Sequence, residues 1–170
     1  QQEFDSPTGY KINPSKEEIL FIISHMNLPL HPAIVHFPIA LITTAFIFQA
    51  LHIWKHNWIC RTTSMWLLGF AAIMSIAATM TGQNDATQAG QIGYDALAMD
   101  TIQRHELIGN LTAWGSITIL ILWVYFFLKD MDDHRVDILA LAFLGLLTGM
   151  VMFTSYLGGT LTFIYGVGKF

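Results

Sequence analysis

Two histidines and two prolines lie within eight residues, at the front of a long apolar stretch. The run reads His31-Pro32-Ala33-Ile34-Val35-His36-Phe37-Pro38, and an apolar segment continues from it to Ile53. An imidazole can bind a metal, carry a proton or donate a hydrogen bond, and at the edge of a membrane it is costly unless it has a partner. The rest of the sequence must therefore supply partners for these two histidines.

The elements that position such partners are four apolar segments. Hydrophobic residues make up 54% of the 170 positions and charged residues 12%, about half the charged fraction of an ordinary soluble domain. Each segment has the length of about 20 residues that crosses the hydrocarbon core of a bilayer. The segments are Ala33–Trp54, Thr62–Thr81, Glu106–Leu128 and Val136–Leu157. The sequence therefore predicts an all-α fold, a four-helix transmembrane bundle in the lipid bilayer.

The loops predict the topology of this bundle. Residues 1–28 are polar and are expected to form a short extracytoplasmic N-terminal segment, ahead of a four-helix membrane domain at 29–170. Short loops make neighbouring helices antiparallel, and the polar stretch 82–104 is expected to be a longer loop. The positive-inside rule puts the short loops in the cytoplasm and both termini outside. Those short loops carry Lys55, Arg61, Lys129 and Arg135.

Several classes of function are disfavoured. A net charge of −4 without a basic run argues against binding to nucleic acid, and a single cysteine excludes an internal disulfide. We find no Gly-rich phosphate loop, nucleophile elbow or C-x-x-C pair, so a carrier or accessory subunit fits better than an enzyme. Two further sets are expected to be ordinary surface residues: the loop or interfacial histidines His52, His56 and His134, and the solvated aspartates Asp130, Asp132, Asp133 and Asp137.

One group of polar side chains converges on the outer end of the bundle. Segments 1 and 3 run in the same direction, so His36 and His105 are expected at nearly the same depth. Two imidazoles placed in this way suit the two axial positions of a haem b, with Asp85 or Asn110 orienting their rings. The same residues allow two other interpretations: a copper or zinc site that includes His31, or a polar clasp that holds the bundle together without a cofactor.

Between the two histidines of the opening run, His36 is the expected ligand. A residue before proline is disfavoured in helical geometry, so the helix is predicted to begin near Pro32, with His31 in the loop before it. His36 lies one turn later, where the helix fixes its direction. We therefore predict that His36 and His105 meet and ligate the metal of a cofactor, while His31 and Asp85 complete the binding site.

The motifs resemble those of a known family, the bacterial four-helix membrane proteins called DUF2231. The likeness covers about residues 28–168, and Thr160 and Tyr165 depart from it where relatives often have an acidic residue and a histidine. It is carried by His31-Pro32-x-x-Val35-His36-Phe37-Pro38-Ile39-Ala40-Leu41, Gly82-x-x-Asp85, His105 with Asn110, Leu157-Gly158-Gly159-x-Leu161 and Gly166-Val167-Gly168. The resemblance implies a multi-pass protein of the bacterial inner membrane.

This resemblance also bears on function. Relatives occur joined to c-type cytochrome or Rieske-type domains, which implies electron transfer near the outer membrane face and a partner of that kind. The favoured hypothesis is an integral membrane redox subunit with one haem b between helices 1 and 3. The alternative is a cofactor-free structural accessory subunit of a larger respiratory or photosynthetic membrane complex, in which the same histidines only hold the helices together.

Overall fold

Four long helical spans make up the described part of the protein. The computed structural model describes residues 30–130 and 133–168, so the predicted N-terminal segment at 1–28 lies outside the described residues. Its helices are α1 (Leu30–Ile34), α2 (His36–Lys55), α3 (Trp58–Ile92), α4 (Ala96–Lys129) and α5 (His134–Phe163). Together α1 and α2 make one span, and α3, α4 and α5 are likewise long and apolar enough to cross a membrane. The predicted all-α fold with four transmembrane helices is confirmed.

The helices are arranged as a ring of neighbours. α2 packs against α3 and α5, and α4 also packs against α3 and α5, as in an up-down-up-down bundle. α2 and α4 therefore face each other diagonally across the bundle axis, and their chains run in the same direction. We call the end that holds Leu30 and the α3–α4 turn the His31 end, and the opposite end the Asp137 end.

A regular spacing of three and four residues marks the buried side of each helix. In α5 it runs through Asp137, Ala140, Leu144, Leu147 and Val151, and in α2 through Pro38, Ile42, Ala45, Gln49 and His52. An average repeat of 3.5 residues keeps one stripe of a helix facing its neighbours along a left-handed bundle. Large apolar side chains on the opposite faces, such as Trp66, Phe70 and Phe153, are exposed, as expected for surfaces that face lipid.

The predicted polar loop at 82–104 is wrong, because this stretch is helical. α3 has 35 residues, about 52 Å of helix, which exceeds the hydrocarbon core of about 30 Å. The two helices are joined at Gly93, whose φ of 79° ends α3, and Asp95, whose side chain accepts a hydrogen bond from Ala98 N to start α4. The resulting hairpin has an apolar inner face, made of residues such as Ala89 and Ile102, which packs against the C-terminal end of α5.

The start of the first span also differs from the prediction. The chain is already helical at Leu30, so His31 lies inside α1 and not in a loop before it. A single turn residue, Val35, separates α1 from α2. Pro38 explains this break, because it has no N–H to bond the carbonyl oxygen of Ile34 four residues earlier. The backbone of Val35 keeps helical angles, with φ −62° and ψ −24°, so the direction of the helix carries through.

Candidate functional site

His31 is held between α1 and α3. Its Nδ1 lies 2.9 Å from Ala78 O and 3.2 Å from Thr81 Oγ1. A carbonyl oxygen can only accept a hydrogen bond, so Nδ1 carries the hydrogen and Nε2 keeps its lone pair. Gly82 leaves room for the ring, since a Cβ at this position would lie 2.8 Å from His31 Cε1.

His105 is held in the same manner by the opposite pair of helices. Its Nδ1 donates to Thr154 O of α5 at 3.0 Å, so this ring too presents Nε2 as its free nitrogen. A glycine again lies beside the ring, because a Cβ on Gly158 would be 3.2 Å from His105 Cε1. Each imidazole therefore has one nitrogen fixed by a neighbouring helix and a glycine next to its Cε1.

The two imidazoles meet across the bundle axis. Their ring centres are 6.0 Å apart and their planes are nearly perpendicular, at 89°. With metal–nitrogen bonds of about 2 Å and about 1.2 Å from nitrogen to ring centre, two rings opposite each other on one ion would have centres about 6.4 Å apart. The separation of His31 and His105 is thus close to that of two axial ligands of one metal.

The expectation that His36 meets His105 is not what the structure shows. His31 occupies that place, and the His36 side chain is exposed. Five residues of α-helix turn the chain by about 500°, so His36 points about 140° away from His31. His31 falls on the same buried stripe as Pro38, Ile42 and Ala45, spaced by three and four residues, whereas His36 does not.

The predicted orienting residues are likewise replaced. Backbone carbonyls of Ala78 and Thr154 fix the two rings, so Asp85 and Asn110 do not take this role. Asp85 is exposed, one turn beyond Gly82 on α3, and its carboxylate interacts electrostatically with His31. Within residues 30–130 and 133–168, no three His, Cys, Asp or Glu side chains lie close enough together to share a metal ion. The structure therefore does not bring together the four residues expected to form a copper or zinc site in that part of the chain.

The helices that hold the two rings carry a small residue and an unpaired hydroxyl nearby in sequence. Gly109 follows His105 by one turn, and a Cβ there would meet no atom within 4 Å. Ser75 is buried one turn deeper than Ala78, and its Oγ has no hydrogen-bond partner among the described residues. Two imidazoles whose Nδ1 atoms are held by backbone carbonyls are a donor set that haem iron can take.

The Asp137 end contains a buried ionic cluster that sequence reasoning missed. Asp137, expected to be solvated, is only 5% exposed, and His52, expected in a loop or interface, is 9% exposed. Arg61 Nε lies 2.7 Å from Asp137 Oδ1, and His52 Nε2 lies 3.1 Å from Asp137 Oδ2. Gln49 Nε2 donates to the Asp137 backbone oxygen. The cluster ties three helices together, and its signal in the sequence is the same three-and-four spacing.

Comparison with known proteins identifies the family. The sequence matches the predicted membrane proteins called DUF2231 over residues 27–169. This match covers most of the chain, so the protein belongs to the DUF2231 family, as the motifs at His31, Gly82 and His105 predicted. Comparison with curated proteins and with solved structures gave no significant match.

Proposed function

We propose that this member of the DUF2231 family is an integral membrane redox subunit that binds one haem b between its first and third spans. The observation that carries the proposal is the His31–His105 pair, whose ring centres are 6.0 Å apart on diagonal helices. In this proposal His31 takes the ligand role that the sequence had assigned to His36. Bound haem iron would supply reversible one-electron transfer.

The chemistry of the two rings supports this proposal. A metal-ligating histidine almost always donates its second ring N–H to a carbonyl, carboxylate or water, which fixes the ring and raises its basicity. His31 and His105 both donate Nδ1–H to backbone carbonyls, which leaves Nε2 of each ring for iron. Gly82 and Gly158 keep side chains away from the rings. The protein's share of the chemistry is to hold two imidazoles at a fixed separation.

The position of the site suggests where electrons would be exchanged. His31 and His105 lie at the end of the bundle that carries the α3–α4 hairpin, and the basic residues Lys55, Lys129 and Arg135 lie at the other end. The positive-inside rule then puts the histidine pair at the outer face of a bacterial inner membrane, with both termini outside. A c-type cytochrome or Rieske-type partner in the same complex would be the electron donor or acceptor.

The decisive experiment is an absorbance spectrum of the purified full chain, reduced minus oxidised. We expect the bands of a six-coordinate haem b in the wild type. They should be lost in His31→Ala and in His105→Ala, and retained in His36→Ala, the matched control at an exposed position of the same span. Loss of haem in His36→Ala with retention in His31→Ala would contradict the ligand assignment, and a folded wild type without haem would contradict the function.

A second candidate function is a cofactor-free accessory subunit of a larger membrane complex. It is favoured by the Nδ1 hydrogen bonds, which join α1 to α3 and α4 to α5. In that case His105→Ala should lower the thermal stability of the purified protein, and no haem band should be present to change. The spectrum of the wild type therefore separates the two candidates.

A further inference from the structure

A second pair of histidines lies at the Asp137 end, outside the site described above. His56 follows the last residue of α2, and His134 is the first residue of α5. Their ring centres are 5.9 Å apart, with 49° between the planes, and both side chains are exposed. No hydrogen bond or ion pair occupies either ring among the described residues.

We propose that His56 and His134 bind one divalent transition-metal ion, such as Zn²⁺, at the membrane surface. With metal–nitrogen bonds of about 2 Å, two imidazoles on one ion have ring centres about 5 Å apart in tetrahedral geometry and about 6.4 Å apart when opposed. The separation of 5.9 Å falls between these limits. Imidazole nitrogen is a preferred ligand of Zn²⁺, and water can fill the remaining positions at an exposed site.

The backbone holds the two ligands firmly on separate elements. His56 adopts the left-handed conformation, with φ 48°, and its N–H donates to His52 O at 2.7 Å. His134 starts a helix whose first turn is capped by the Asp133 side chain, which accepts from Arg135 N at 2.9 Å. A bound ion would therefore join the α2–α3 connection to the start of α5, directly beside the buried cluster of His52 and Asp137.

Binding to the folded protein alone raises its stability in proportion to the logarithm of ion concentration over the dissociation constant. The ion would thus act as a reversible cross-link between the end of α2 and the start of α5 at this face of the membrane.

Calorimetric titration of the full-length protein in detergent with ZnCl₂, without a histidine tag, tests the proposal. We expect one Zn²⁺ to bind at this site. Its affinity should fall at least about tenfold in His56→Asn and in His134→Gln, because even the mutation of a residue that only hydrogen-bonds a metal ligand lowers metal affinity by about that factor. Asparagine is used at position 56 because it tolerates the left-handed conformation. The double variant should bind no more weakly than either single variant, since one remaining imidazole cannot chelate.

A matched control keeps the test decisive. His36→Gln removes an exposed histidine at the other end of the bundle and should leave Zn²⁺ affinity unchanged. Zinc bound at the His31 end instead would keep its affinity in His56→Asn and in His134→Gln. The proposal is overturned if His56→Asn or His134→Gln keeps wild-type affinity, or if the losses in the two single variants add independently in the double variant.

Discussion

Gly82→Ala tests the tight contact beside His31. The new Cβ would lie 2.8 Å from His31 Cε1, 3.2 Å from Nδ1 and 3.3 Å from Nε2. Ordinary van der Waals contact begins at 3.4 Å, so full relief of the contact with Cε1 requires a displacement of about 0.6 Å. A shift of that size along the Nδ1–Ala78 O bond would lengthen it from 2.9 Å to about 3.5 Å, beyond hydrogen-bond range.

Three terms set the size of the effect. Overpacking a tight site costs about 1–3 kcal/mol, and loss of the hydrogen bond costs about 1 kcal/mol more. Alanine stabilises a helix by up to about 1 kcal/mol relative to glycine, and this gain offsets part of the cost. The expected result is a decrease in the free energy of unfolding of about 1–3 kcal/mol. If haem binds as proposed, its absorbance bands should weaken or shift as well.

Gly90→Ala is the matched control in the same helix. A Cβ at Gly90 would meet nothing within 4 Å, so this change adds helix propensity alone and should stabilise the protein by up to about 1 kcal/mol. Both variants are compared with wild type by unfolding in detergent, followed by far-ultraviolet circular dichroism. If Gly82→Ala is as stable as Gly90→Ala, the reasoning from the close approach of His31 to α3 is refuted.

Three further predictions address the rest of the bundle. Asp137→Ala should lower the free energy of unfolding by about 3–5 kcal/mol, because it breaks a buried ion pair by removing one of the two charges. Asp100→Ala breaks an exposed ion pair and should lower it by under about 1 kcal/mol, and equal losses in the two variants would contradict the burial of Asp137. Asp95→Ala removes the N-cap of α4 and should lower the free energy of unfolding by about 1 kcal/mol in the same assay. An unchanged free energy of unfolding would argue against the hairpin between α3 and α4. Lys129→Cys in a Cys60→Ser background should react with an impermeant thiol reagent only in permeabilised cells, since labelling of intact cells would reverse the proposed orientation.

The membrane spans were predictable because hydropathy and length act over whole segments. Each of the four apolar stretches is long enough to require a helix in lipid, where every backbone group must find an internal partner. Hydropathy does not predict the parts of α3 and α4 that extend beyond the membrane, because the outer face of their hairpin is polar. Its signals are local: Ala86 and Ala89, then Ala98 and Ile102, repeat at helical spacing, while Gly93 and Asp95 are ordinary stop and start residues.

The choice of histidine depended on a rule that is weaker than helix periodicity. The argument from Pro32 excluded His31 from the helix, yet a residue before proline is only disfavoured there, and α1 begins at Leu30. Counting back from Ile42 by four, three and four residues passes Pro38 and Val35 and reaches His31. In α4, His105 lies on the corresponding stripe. The spacing of the residues along each helix therefore indicates that His31 and His105 face each other. Their hydrogen-bond partners, Ala78 O and Thr154 O, can be identified only from the structure.

The two ends of the bundle differ in what their buried imidazoles can still do. Both ring nitrogens of His52 lie within hydrogen-bond distance of a polar partner, Asn57 O at 3.0 Å and Asp137 Oδ2 at 3.1 Å, so neither nitrogen is available to a ligand. His31 and His105 each engage one nitrogen, Nδ1, in a hydrogen bond to a backbone carbonyl. A ligand at the Asp137 cluster would have to separate the buried pair of Arg61 and Asp137, and a buried charge that loses its partner is strongly destabilising. A ligand at the His31 end displaces no such contact. If only one buried site takes a cofactor, these hydrogen bonds select the His31 end.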